Sequence, residues 1–167
     1  EVRFDVIKGN ISEIAYLAEG IGTTKGVDAN LDALSTEGNL RWHTDLARKV
    51  STQTGAAIVI SGPIDIVADS HEAWAIRNGH PMMANITGTG CMSAGVIGCC
   101  VGADPQALLP SCVCAMSAMG ICGELAYEKL LSVDGGSGTY RVLLMDAMSK
   151  LDGATLTRRS KAERLRI

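Results

Sequence analysis

Three features of the sequence predict an α/β layered fold. Residues 56–62, AAIVISG, are a continuous apolar run closed by glycine, the mark of a strand buried on both faces of a parallel sheet. Segments with apolar residues at helical spacing stand on either side of it. Glycine-bearing turns separate the two kinds of segment, so strand and helix alternate around one core. The expected sheet is mostly parallel, with a hairpin inserted.

The elements follow in order. VRFDVI (2–7) alternates enough to be a strand, and KGN should break it. ISEIAYLAEG carries Ile11, Ile14, Ala15 and Ala18 at helical spacing and stops at Gly20. Residues 21–38 are rich in Gly, Thr and Asp without a clear period, which predicts a loop. Leu40, His43, Leu46, Ala47 and Val50 form one face of an amphipathic helix that ends at Gly55. After the buried strand, DIVADS, AWAIRNG and HPMMANI read as short strands, with Asn78-Gly79 as a hairpin signal. A helix is expected over 91–102. Pro105 suits the first turn of a short helix, 105–109. Pro110 should kink it or start a new one running to about 131. DGGSGT (134–139) is a glycine loop, and 140–151 a last helix with Leu143, Leu144, Ala147, Met148 and Leu151 inward. The basic tail, TRRSKAERLRI, reads as a solvated helical end.

Composition narrows the function classes. The 167 residues suit a single domain, 1–167, with a real core. Hydrophobic residues at 47% and charged residues at 20% fit a globular chain. Aromatics are only 4%, so aliphatic residues, Met and Cys must fill the interior. A formal net charge of −3 lacks the basic field of a nucleic-acid binder. No uninterrupted apolar run suggests a membrane span, because Gly102, Asp104, Pro105 and Pro110 interrupt 91–131. The six cysteines include no C-x-x-C pair, so buried free thiols in a reducing, cytoplasmic compartment are expected rather than disulfides or zinc. The chain opens on Glu1 and goes at once into an interior-like strand, which suggests that an N-terminal part precedes it.

Three stretches carry candidate chemistry. Gly88-Thr89-Gly90-Cys91 is a glycine turn before a helix, where free backbone N–H groups and the helix dipole favour an anion. Gly88, Thr89 and Gly90 would form that anion hole; a plain strand–helix connection fits them equally well. Cys91 could be a nucleophile, with His43, His71 or His80 as its base. It could instead take the proton of a hydroxyl that attacks a phosphoryl group. Asn10 and Glu13, three apart at a strand-to-helix turn, could hold magnesium through water, or simply cap the helix. Lys8 could meet a phosphate as a point charge, and the Ser61 hydroxyl could bond a phosphate oxygen. Each stretch is expected at the C-terminal end of a strand, where open α/β sheets bind ligands.

VIKGNISEIAYLA, TKGVDA, VISGPIDIVAD, NGHPMMANITGTGCMSAG and GSGTYRVLLMDAM occur in the order seen in hydroxyethylthiazole kinases of the ribokinase-like superfamily. The chain resembles that family over nearly its whole length. The most specific element is the cysteine after the glycine turn, where most ribokinase-like kinases have aspartate. The resemblance implies a three-layer αβα fold, with a mostly parallel central sheet and helices on both faces, of which the chain is the C-terminal portion. It implies transfer of phosphate from ATP, with Mg2+, to the hydroxyl of 4-methyl-5-(2-hydroxyethyl)thiazole, in a homotrimer. Lys8 and Ser61 look like the nucleotide contacts, where relatives often have arginine and threonine. Gly88 looks like the thiazole-contacting backbone, Cys91 like the residue facing the substrate hydroxyl, and Asn10 and Glu13 like the organisers of magnesium and triphosphate. A kinase of another small alcohol, or a non-catalytic oligomerising fragment, are the alternatives.

Overall fold

The structure, a computed structural model, describes residues 2–20 and 36–166, the side chain of Glu19 excepted. The expected loop 21–38 and the TKGVDA motif fall largely or wholly outside the described residues.

The element order is β1 (Val6–Asn10), α1 (Ile11–Gly20), α2 (Leu40–Thr54), β2 (Ala57–Ser61), β3 (Asp65–Ala68), β4 (Ala73–Ile76), a 3-10 turn (Pro81–Asn85), α3 (Thr89–Ala103), α4 (Leu108–Leu130), α5 (Ser137–Lys150), α6 (Gly153–Arg159) and β5 (Ala162–Arg164). The described strands form one sheet in the order β1-β2-β3-β4-β5. The fold is α/β, as expected, and the sheet is mixed. β1 and β2 are parallel, with Lys8 opposite Val59 and Asn10 opposite Ser61. β2 and β3 are antiparallel, with Val59 opposite Val67 and Ile60 opposite Ile66. Only Gly62, Pro63 and Ile64 link β2 to β3, far too few for a parallel crossover, which takes a dozen residues or more. The mostly parallel sheet expected from the sequence therefore narrows to its first pair.

The chain divides into two compact units, the first made of the segments Glu1–Ala75, Gln106–Pro110 and Glu163–Ile167, the second of Ile76–Pro105 and Ser111–Ala162. In the first, the stripe predicted for α1 (Ile11, Ile14, Ala15, Ala18) and that of α2 (Leu46, Ala47, Val50) pack on Ile58, Ile60, Ile66, Ala68 and Ala73. The strand residues in this core alternate along β2 and β3, so α1 and α2 cover one face of the sheet. The second unit has its own core of Ile86, Met119, Cys122, Ala126, Leu130, Tyr140 and Leu144. There the Tyr140 hydroxyl donates to the Gly123 carbonyl at 2.8 Å, so burial leaves its polar tip satisfied.

Several expected boundaries move. The first strand lies at 6–10 rather than 2–7, because KGN continues it in register with β2, while Val2 and Phe4 are exposed. HPMMANI is no strand: Pro81 starts the 3-10 turn, and His80 Nδ1 accepts from the Met82 N–H at 3.1 Å. Asn78-Gly79 does not turn a hairpin. The Asn78 amide donates to the Arg159 carbonyl at 2.9 Å, and Gly79 N–H donates to Glu124 at 3.1 Å. The inserted hairpin is instead β3–β4, where Asp69 N–H donates to the Glu72 carbonyl at 3.0 Å. There is no helix 105–109; Pro110 sits in the first turn of the continuous α4, where a missing N–H costs nothing. α5 starts at Ser137, inside the expected glycine loop. The tail is partly strand: Leu165 N–H donates to the Ala73 carbonyl at 2.8 Å beside β5. α4 is long and apolar enough to cross a membrane by length and composition alone, and 67% of its most apolar window is buried in the protein. That burial accounts for its composition.

Candidate active site

In the first unit, side chains on a strand alternate between faces. Ile58 and Ile60 face the helices, so Val59 and Ser61 face the other way, and Lys8 and Asp65 share that second face by register. At its edge the Lys8 ammonium donates to Ser61 Oγ at 3.3 Å, and the Ser61 hydroxyl lies 3.4 Å from the Gly9 carbonyl it donates to. A basic side chain from the middle of β1 thus meets a hydroxyl at the C-terminal end of β2, so Ser61 ends its strand as expected while Lys8 lies inside β1 and not after it.

Asn10 and Glu13 close the N-terminus of α1 on each other. The Glu13 N–H donates to Asn10 Oδ1 at 2.9 Å, and the Asn10 N–H donates to Glu13 Oε2 at 2.7 Å. This reciprocal pair is a capping box with asparagine as the cap, so the capping alternative left open by the sequence is realised. Gly9 makes room for it, since a Cβ there would lie 3.0 Å from Glu13 Oε2.

In the second unit, Gly88 precedes α3 with φ 98°, a left-handed conformation that favours glycine. The Gly88 carbonyl accepts the first helical bond, from Met92 at 2.9 Å. No side chain caps this end, which leaves the N–H groups of Thr89, Gly90 and Cys91 to solvent or a ligand. Cys91 is exposed in that first turn. The turn follows the 3-10 segment and not a strand, so of the three candidate stretches it alone departs from the strand-end pattern.

The pattern of the hydroxyethylthiazole kinase family matches residues 1–154. A hydroxyethylthiazole kinase of Desulfovibrio desulfuricans is 50% identical over 174 aligned positions, covering 100% of this chain and 61% of the relative. One from Clostridium acetobutylicum is 45% identical, covering 93% of this chain and 57% of the relative. The chain belongs to the hydroxyethylthiazole kinase family. It spans about three fifths of the length of these curated relatives. The solved hydroxyethylthiazole kinase of Pyrococcus horikoshii OT3 shares the fold, with a TM-score of 0.76 at 22% identity, over 97% of this chain and 55% of that one.

For a member of this kinase family, a magnesium ion is the first group to test against the residues present. Among the described residues no three His, Cys, Asp or Glu cluster as metal ligands. Magnesium keeps most of its waters and takes one or two carboxylates plus phosphate oxygens, so one exposed carboxylate, Glu13, fits a shared ion of that kind. Asn10 fits beside it as an amide contact.

The three histidines considered as a base for Cys91 stand in different surroundings, and of them His80 has a ring nitrogen in a hydrogen bond. His43 is buried edge-on to Trp42 at 5.0 Å, and burial lowers its pKa. The backbone N–H of the exposed His71 donates to Asp69 in the β3–β4 turn. His80, which shares the second unit with Cys91, caps the 3-10 turn and stacks on Tyr127 at 3.5 Å. The thiols are less uniformly buried than expected: Cys112 and Cys122 are, and burial pushes both up to about 11, whereas Cys91 and Cys99 are exposed.

Sequence reasoning missed Asp65. It is buried at the start of β3, and burial pushes its carboxyl up to about 7, against the opposing pull of the Gly62 N–H and the Lys8 charge. The available signal was an acid at the head of an otherwise apolar strand, DIVA.

Proposed function

We propose that the complete protein transfers the γ-phosphoryl group of ATP to the hydroxyl of 4-methyl-5-(2-hydroxyethyl)thiazole. The observation that carries this reading is the Lys8–Ser61 pair, in which a side chain from the middle of β1 meets the hydroxyl that ends β2, in a chain of the hydroxyethylthiazole kinase family. Phosphoryl transfer depends on positioning and charge neutralisation, and the roles follow from that. Lys8 offsets phosphate charge, and Ser61 donates its hydroxyl to a phosphate oxygen. The backbone of Gly88, Thr89 and Gly90 forms an anion hole for the charge that develops on the phosphoryl oxygens. The Gly88 backbone also contacts the thiazole. The substrate oxygen bonds to the γ-phosphorus as the bond to the bridging oxygen of ADP breaks, and its proton passes to Cys91 Sγ, which acts as thiolate and becomes the thiol. Bound magnesium would neutralise phosphate charge; Glu13 would hold it by one carboxylate and Asn10 would orient a bound water or phosphate. A cytoplasmic homotrimer is the assembly that family resemblance favours.

The test is the purified complete protein with ATP, magnesium and the thiazole alcohol. Phosphorylated thiazole, identified by mass, is expected. Turnover of a pyrimidine or sugar alcohol with none of the thiazole would move the reading to another small-alcohol kinase. Light scattering should return three times the protomer mass.

A further inference from the structure

The start of β3 holds a group that this mechanism does not use. Asp65 sits one residue beyond the three-residue link Gly62-Pro63-Ile64. Its Oδ1 accepts the Gly62 N–H at 2.9 Å, which closes the chain directly after Ser61. Continuing the antiparallel register by one step, from Ile60 opposite Ile66, sets Ser61 opposite Asp65. The Ser61 hydroxyl itself is held loosely, at 3.3 Å from Lys8 and 3.4 Å from the Gly9 carbonyl. Its position is therefore set by backbone, which is held on one side by the β1 register, Ser61 opposite Asn10, and on the other by the Gly62 bond. An acid is a costly way to hold it: the other three residues of DIVA are apolar and buried, and burial of the carboxylate disfavours its charge. An apolar residue would avoid that cost, but would leave the Gly62 N–H without this acceptor and the link without its closing bond.

We propose that Asp65 is a positioning residue for the nucleotide: by holding the Gly62 N–H it fixes Ser61 where the hydroxyl can meet a phosphate oxygen. The inference rests on the kinase reading above, in which Ser61 contacts ATP. It is tested in the complete protein by calorimetric titration with magnesium and a non-hydrolysable ATP analogue, alongside steady-state kinetics. Asp65→Leu keeps the branched shape, is larger and has no acceptor. It should weaken nucleotide binding and raise KM for ATP about tenfold, with kcat within threefold. Asp65→Asn keeps an acceptor oxygen and should stay within threefold of the wild type on both. Because Asp65 acts through Ser61, Asp65→Leu should add less than twofold in a Ser61→Ala background. Should Asp65→Leu not fold, Asp65→Val, which strands favour, is measured in its place. Unchanged nucleotide binding in the apolar variant, or a tenfold loss that persists without the Ser61 hydroxyl, overturns the proposal while the wild type still binds nucleotide. A wild type that binds no nucleotide overturns the kinase reading, and this inference falls with it.

Discussion

The β1–β2 edge and the start of α3, the two regions proposed to handle negative charge, are built in opposite ways. At the edge every candidate polar group already has a protein partner: Lys8 with Ser61, Asn10 with Glu13, Asp65 with Gly62. A ligand arriving there exchanges one set of bonds for another. At the start of α3 no side chain supplies a cap, and the thiol is exposed. A ligand there receives N–H bonds that the protein otherwise leaves to water. The difference teaches that substitutions at the edge should report on stability and affinity together. Substitutions at the helix start should report on the transition state, because folding asks little of those groups.

The largest effect expected is on stability, at Asp65. Its folded-state pKa of about 7 stands above the ordinary 3.8, so the folded protein holds a proton that the unfolded chain releases. This contribution is complete at low pH, falls as pH rises through the window from about 4 to about 7, and is level above it. Urea melts should therefore lose on the order of a few kcal/mol between pH 4 and pH 8 in the wild type, relative to Asp65→Asn, which has no proton to lose. Parallel pH profiles for the two proteins would contradict the burial of an ionisable group there.

The next two effects separate the regions by kinetics. Cys91→Ala should lower kcat about 100-fold, the low end of what a positioned base supplies, with a nearly unchanged melting temperature. Cys91→Asp should stay within about tenfold of the wild type, since a carboxylate can take the same proton. An aspartate variant that folds but has no turnover would sink the base role. Lys8→Ala should act mainly on the nucleotide, raising KM for ATP about tenfold, as loss of a charge-assisted bond to phosphate predicts. If kcat falls instead and KM holds, the edge and the helix start have exchanged the roles assigned to them.

Much of the edge was legible in sequence because local periodicity builds it. The α1 and α2 stripes and the apolar run of β2 each carry their own signal, and Asn10 and Ser61 are recognisable as residues that end strands. What escaped was decided at long range. Asn78-Gly79 has the composition of a turn, but a bond to the Arg159 carbonyl, 81 residues away, takes the asparagine elsewhere. β5 sits in a basic tail with no alternation to announce it. Asp65 looked like one more strand residue; the role proposed for it rests on a three-residue link whose tightness only the β2–β3 register reveals. The helix start of α3 was found through its glycines, yet the strand expected before it was a 3-10 turn. Pro81 and the His80 cap favour helical over extended backbone there.

The smallest effect is the one that separates two roles of a single residue. Asn10 and Glu13 form a capping box, and Glu13 is also the carboxylate assigned to magnesium. Glutamine serves in that box as well as glutamate does, because its amide oxygen can accept the Asn10 N–H. Glu13→Gln should therefore melt within about 0.5 kcal/mol of the wild type, whereas Glu13→Ala or Asn10→Ala should cost about 1 kcal/mol, the usual worth of a lost cap. The magnesium role predicts the reverse ranking in a different measurement. Glu13→Gln removes the negative charge, so the magnesium concentration for half-maximal rate should rise several-fold in the glutamine variant despite its intact fold. A glutamine variant with wild-type stability and wild-type magnesium dependence would reduce Glu13 to a cap. The edge would then contribute only Lys8 and Ser61 to the chemistry.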